Sequence, residues 1–415
     1  MAFPEVDNIY LAAERLRGVV THTPLQENIN LSDRYNANIY LKREDLQVVR
    51  SYKIRGAYNK MASLSAEALA KGVVCASAGN HAQGLAYACR KMGVNGRIFM
   101  PTTTPAQKVK QVGMFGREYV EVVLIGDTYD DAYYAAIEYV AANDSTFVHP
   151  FDDLQVMEGQ GTVGLEIFKD ADFKIDYLLM AIGGGGLASG VSTVFRQLSP
   201  RTKLIGVEPM GSPSMKASLD EGHVVTLAQI DKFVDGAAVK RVGETTFEVC
   251  RQNLDRIVLV PEGKVCTTIL KLYNEEAIVA EPAGALTIAA LDFMKDEIRG
   301  KNVVCLVGGG NNDIIRTEEI KERSLLYEGL KHYFIIRFVQ RAGAMRDFLS
   351  DVLGPTDDIT LFEYSKRTNR ERGPALVGIE LENKADFEPL IARMKAARIH
   401  FEYINDKPDL FEFLI

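Results

Sequence analysis

Residues 177–195 carry no charge, and four consecutive glycines, Gly183, Gly184, Gly185 and Gly186, sit inside that stretch. A run of this length is long enough to cross a bilayer as a helix. The glycines decide against it, because each costs a helix about 1 kcal/mol relative to Ala. YLLMAI before them reads as a buried strand, and LASGVSTVF after them as a helix. A strand that is apolar throughout is covered on both faces, which is a property of parallel sheets flanked by helices. The stretch therefore predicts a strand, a glycine turn and a helix in an α/β protein, and no membrane span.

The same alternation runs along most of the chain. Strands are expected at 38–45, 73–78, 96–101, 119–126, 176–182, 203–209 and 302–310, with helices opening at His81, Pro105 and Asp130. Two blocks, about 50–150 and 158–312, predict two lobes, each a parallel sheet between helices. A charged segment, 313–330, reads as a connector. Beyond it the pattern changes to strand 332–339, helix 342–353, strands 359–364 and 375–381, helix 385–397 and strand 399–404. That βαββαβ order is ferredoxin-like and predicts a separate domain over 331–415. A length of 415 residues accommodates all three parts.

Charge and cysteine content narrow the function. With 48 Lys and Arg against 56 Asp and Glu the net charge is −8. A nucleic-acid face needs clustered cations, so nucleic-acid binding is not expected. The five cysteines are odd in number, scattered, and form no C-x-x-C pair, which disfavours a disulfide framework and a zinc ribbon. The start, MAFPEVDN, has no basic n-region followed by an apolar stretch. With no secretory signal visible, a cytoplasmic location is expected.

Four segments can carry chemistry. In Ser51-Tyr52-Lys53-Ile54-Arg55-Gly56, Lys53 is either a solvated helix-start lysine or an imine-forming amine. The second role needs a lowered pKa, from burial or from a cation such as Arg55. Ser77-Ala78-Gly79-Asn80-His81 lies where a strand turns into a helix. It is either an N-cap turn or a seat for a carboxylate, made of free N–H groups with Ser77 and Asn80 as further donors. There His81 is either a general base or a structural imidazole. The glycines at 183–186, followed by Leu187, can wrap an anion with backbone N–H groups. No Lys-Ser/Thr pair follows them, so nucleotide hydrolysis is disfavoured. Gly308-Gly309-Gly310-Asn311 ends another strand and is either a tight turn or a close approach to a flat ligand.

Taken together and in this order, the segments resemble the pyridoxal-phosphate enzymes of the tryptophan synthase β-subunit fold (fold type II), and most of all the short biosynthetic threonine dehydratases with one ACT-like regulatory domain. The resemblance covers about residues 5–415. It implies a large lobe of residues 1–50 and 151–312, with a small lobe of 51–150 inserted. It implies that Lys53 carries pyridoxal 5'-phosphate as an imine. Asn80 then contacts the pyridine hydroxyl, and Gly183, Gly184, Gly185, Gly186 and Leu187 cradle the phosphate. Gly236, Glu281 and Gly308 lie near the cofactor, while Ser77, Asn80 and His81 hold the substrate carboxylate. The implied reaction is deamination of L-threonine to 2-oxobutanoate, with L-serine as a secondary substrate and Lys53 as the base that removes the α-proton. The implied partners are isoleucine as inhibitor, valine as opposing effector, and further copies of the chain in a homotetramer.

Four departures qualify the resemblance. The related serine racemases have their second catalytic base, a serine, where this chain has Ala78, which favours elimination. The family usually has Ser at the pyridine nitrogen, where this chain has Gly308. The racemases' divalent-metal site follows Val207-Glu208-Pro209, but Ser214 stands here at its later acidic ligand position, so no divalent metal is expected and a monovalent ion stays open. In the tail, Ala342 stands where a proline is common, beside Gln340, Arg341, Gly343 and Ala344. A serine dehydratase or racemase of the same fold, and a non-catalytic amino-acid sensor, are the alternative readings.

Overall fold

The computed structural model describes residues 2–364, 371–407 and 410–411. Its strands, in chain order, are β1 (Leu25–Glu27), β2 (Asn38–Arg43), β3 (Val73–Ala76), β4 (Gly96–Met100), β5 (Val120–Leu124), β6 (Thr146–Phe147), β7 (Tyr177–Ala181), β8 (Lys203–Pro209), β9 (Arg256–Val260), β10 (Asn302–Val307), β11 (Lys331–Val339), β12 (Asp358–Tyr364), β13 (Arg372–Glu380) and β14 (His400–Tyr403). The chain divides into two units, Met1–Ile314 and Ile315–Ile415.

The first unit holds two sheets. One has the order β1-β2-β10-β7-β8-β9 and is parallel except for β1; the other is parallel, with the order β5-β4-β3-β6. Parallel neighbours need crossover connections, and helices such as Asn80–Met92 and Gly186–Leu198 supply them. Burial follows from this, since β3 is buried at every residue and β10 at all but its first. In the six-stranded sheet, β2 pairs with β10 across 264 residues of chain, so the segment that builds the four-stranded sheet is an insertion.

A buried ion network joins the insertion to the larger sheet. Arg55 is fully buried on the Lys53–Ala62 helix. Its guanidinium donates to Glu44 at 2.8 and 2.7 Å, to Glu166 at 2.7 and 2.9 Å, and to the Thr162 hydroxyl at 3.1 Å. Lys42 on β2 adds an ion pair to Glu166 at 2.7 Å. Each buried charge is tolerated because it is paired and hydrogen-bonded. The expected cost of Arg55→Met is therefore about 3–5 kcal/mol, because Glu44 is left buried without its cation. Denaturant unfolding measures it, and a loss below about 1 kcal/mol would contradict the account.

The second unit carries an antiparallel sheet of order β12-β13-β11-β14, covered by the helices Ala344–Asp351 and Phe387–Ala396. Its core is Phe334, Ile336, Phe338, Phe348, Val377, Leu390 and Met394. Thr317–Glu328, read from sequence as part of the connector, is a helix grouped with this unit. Sequence reading missed β1, β6 and β9. The first two are three and two residues long, too short for a period to register.

Candidate active site

Lys53 is the first residue of a helix and is only partly exposed. Its Nζ donates to the Pro150 carbonyl at 2.7 Å. Burial pushes the amine down to about 8, and the nearby Glu281 carboxylate opposes that shift. Such an amine has a sizeable neutral fraction near neutral pH, as a nucleophile requires. The sequence also offered Arg55 as the cation that lowers it. The structure corrects this: two residues along a helix point to different faces, and Arg55 is committed to Glu44 and Glu166.

The glycine turn after β7 opens the Gly186–Leu198 helix, with Gly185 at φ +94°. Among the described residues, the backbone N–H groups of Gly183, Gly184, Gly185, Gly186 and Leu187 have no protein acceptor. The missing side chains are required by packing. A Cβ on Gly183 would come within 2.9 Å of the Ala237 backbone, and one on Gly184 within 2.2 Å of the Phe151 ring. Buried N–H groups without partners are rare, so five in succession at a helix start suit an anionic group such as a phosphate.

The other predicted residues gather around this pair. Asn80 donates to Glu281 at 2.6 Å and accepts from Asn311 at 2.7 Å. Burial, reinforced by Asp235, holds the Glu281 carboxyl up to about 7, against the pull of the Asn80 amide and Lys108. A Cβ on Gly236 would lie 3.6 Å from Glu281 Oε1, and one on Gly309 would collide with it. Residue 308 faces Tyr52, with 3.4 Å from a built Cβ to the ring. Ser51 pairs with Gly309 in an isolated bridge. Ser77 accepts from the Gly79 N–H at 3.3 Å. The N–H groups of Asn80 and His81, at the start of their helix, have no backbone acceptor among the described residues.

His81 itself is turned into the core. Its Nε2 bonds the Val148 carbonyl at 2.9 Å, and burial with the nearby Lys53 charge pushes it down to about 3. It is therefore a neutral imidazole near neutral pH. Among the described residues, its Nδ1, the Ser51 hydroxyl and the Asn311 Oδ1 are buried without a hydrogen-bond partner. Orphaned polar atoms clustered beside a reactive amine and an N–H cradle fit a polar aromatic aldehyde that bears a phosphate. Glu208, in the segment read against the racemase metal site, accepts from the Met215 and Lys216 N–H groups at 2.8 Å each and so caps a helix.

Sequence reasoning overlooked the segment 149–152. His149 Nδ1 accepts from the Phe151 and Asp152 N–H groups at 3.3 and 2.8 Å. Pro150 supplies the carbonyl to Lys53, and Phe151 packs on Gly184. The available signal was positional, since these residues follow the carboxyl end of a parallel strand as the other turns do. That strand, β6, is only two residues long.

Comparisons with known proteins agree with this geometry. Residues 16–309 match the family described as pyridoxal-phosphate dependent enzyme, and residues 322–414 match the C-terminal regulatory domain of threonine dehydratase. The chain is 60% identical over 411 residues to the L-threonine dehydratase biosynthetic IlvA of Halalkalibacterium halodurans, covering 99% of each. It is 60% identical over 411 residues to the same-named protein of Bacillus subtilis, covering 99% of this chain and 97% of that one. The processed form of threonine deaminase isoform 2 from Solanum lycopersicum superposes with a TM-score of 0.73 at 40% identity, covering 78% of this chain and 95% of its own. Serine racemase from Dictyostelium discoideum gives 0.70 at 31% identity, covering 75% and 100%. The chain thus belongs to the pyridoxal-phosphate-dependent threonine dehydratases that carry a C-terminal regulatory domain.

Proposed function

We propose that this chain converts L-threonine to 2-oxobutanoate and ammonia, the opening step of isoleucine biosynthesis. The observation that carries the reading is the buried, low-pKa Lys53 amine in one site with five unsatisfied N–H groups on a glycine turn. Lys53 would hold pyridoxal phosphate covalently, and the turn of Gly183, Gly184, Gly185, Gly186 and Leu187 would hold its phosphate. Asn80, Gly236, Glu281 and Gly308 would border its ring. When bound, the cofactor supplies an electron sink for charge developing at the substrate α-carbon.

The protein's own groups then have defined tasks. The N–H groups at Asn80 and His81, with the Ser77 hydroxyl and the Asn80 amide, bind the substrate carboxylate at a helix N-terminus. The Lys53 amine would remove the α-proton as general base. His81 serves through its backbone and a neutral ring, because its Nε2 is committed to Val148. Ala78 brings no hydroxyl to the opposite face, which favours elimination over racemisation.

In the second unit, a cavity of about 390 Å³ lies at the loop after β11, with Gln340, Arg341, Gly343, Arg346 and Tyr364 in its lining. Two guanidiniums beside an apolar wall suit a branched-chain amino acid, with isoleucine inhibiting and valine opposing it. A cytoplasmic homotetramer completes the proposal. A keto-acid assay with L-threonine and L-serine, repeated with added isoleucine, tests the reading. Turnover of threonine that falls on adding isoleucine is expected; absence of keto acid from threonine would overturn the assignment.

A further inference from the structure

The segment 149–152 touches both halves of the site. On one side the Pro150 carbonyl accepts from the Lys53 amine at 2.7 Å. On the other, the Phe151 ring lies over Gly184, and its backbone lies against Gly186. The His149 ring closes the turn through its two N–H acceptances and meets the Phe151 ring edge-on at 4.7 Å.

Asp152 fixes this turn to a third element. Its Oδ2 accepts from the Glu244 N–H at 3.0 Å, and its Oδ1 from the Thr245 and Thr246 N–H groups at 3.1 and 3.2 Å. These are the first three N–H groups of the Glu244–Asn253 helix, whose own N-cap, Gly243, has no side chain to offer. Asp152 is therefore that helix's cap, supplied from 92 residues earlier in the chain. A side chain on Gly243 would collide with Asp152, so the fit is close. The capped helix returns to the glycine turn, because the Thr246 hydroxyl donates to the Gly184 carbonyl at 2.6 Å. Lys53, Pro150, Asp152, Thr246 and Gly184 thus form one continuous path of contacts.

We propose that Asp152 is a positioning residue that sets the register between the Lys53 amine and the N–H cradle, so that a phosphorylated aldehyde engages both at once. The proposal rests on the reading of Lys53 as the cofactor-bearing amine. It requires that losing Asp152 uncouples the phosphate's contribution from that of the amine. A purely structural role would weaken both together.

The test compares pyridoxal phosphate with pyridoxal, which has the aldehyde and no phosphate. Full-length wild-type chain and Asp152→Asn, each freed of cofactor, are titrated with both, and the absorbance of the lysine-bound aldehyde is followed. Asn keeps the shape but turns a donor toward a backbone N–H. The expected result is a dissociation constant for pyridoxal phosphate raised at least about tenfold, with that for pyridoxal within about twofold of wild type. Equal losses for both aldehydes, or no loss for either, would overturn the proposal. If Asp152→Asn fails to fold, Thr246→Val removes the hydroxyl's bond to the Gly184 carbonyl, together with its longer one to the Gly243 carbonyl, and should show the same selective loss, about fivefold. A wild-type chain that binds neither aldehyde at Lys53 would refute the underlying reading instead.

Discussion

Lys53→Ala should lower the turnover of L-threonine by more than about 10³-fold and remove the visible absorbance of bound cofactor. The effect is large because the amine is asked to act twice, as the point of covalent attachment and as the base for the α-proton. Burial pushes it down to about 8, where it can serve in both roles near neutral pH. Among the described residues, the nearby cations cannot take over. Arg55 is locked to two carboxylates, and Lys108 pairs with Asp235. Fold damage is not the cause, since Ala is the best helix former and the site is a helix start. The keto-acid assay and the absorbance spectrum of the purified variant check both halves. Retention of either full turnover or the bound-cofactor band would remove Lys53 from its assigned place.

Gly184→Ala should be the most damaging change in the glycine turn. The new methyl group would lie 2.2–2.5 Å from three carbons of the Phe151 ring. That ring cannot easily withdraw, because His149 stands edge-on to it and its backbone lies against Gly186. Overpacking of this kind costs about 1–3 kcal/mol, which here is displacement of the cradle itself. Cofactor retention should fall roughly 5- to 150-fold, as measured by titration of the cofactor-free variant. Gly113→Ala is the control, because nothing lies within 4 Å of a Cβ at that helix position. Equal retention in the two variants would show that the Phe151 contact does not govern the cradle.

Much of this site was legible because its parts are local. The glycines at 183–186, the Asn80 turn and the Gly308 turn each follow an apolar strand, and a strand-to-helix turn announces its own free N–H groups. Their convergence was not legible from residue types alone; it followed from the resemblance. The contribution of 149–152 escaped for a physical reason. Asp152 caps a helix that begins at Glu244, and a cap so remote in sequence leaves no local pattern. The environment of Lys53 was half legible. An imine-forming role required a lowered pKa, from burial or from Arg55; burial is the cause, and Arg55 lies on another face of the helix. In the second unit the strand order was readable because each strand is seven to nine residues long except the last.

The pairing of β2 with β10 has a consequence for how the chain is made. The two strands are 264 residues apart, and β7 also pairs with β10. At synthesis rates of about 5–20 residues per second, β2 waits roughly 10–50 s for its neighbour. The four-stranded sheet needs nothing later than Phe147 for its own ladder. On the ribosome, the sheet that presents the Asn80 turn can therefore close while the larger one still has an open seam. The last strand to emerge in the first unit is the one that joins its ends.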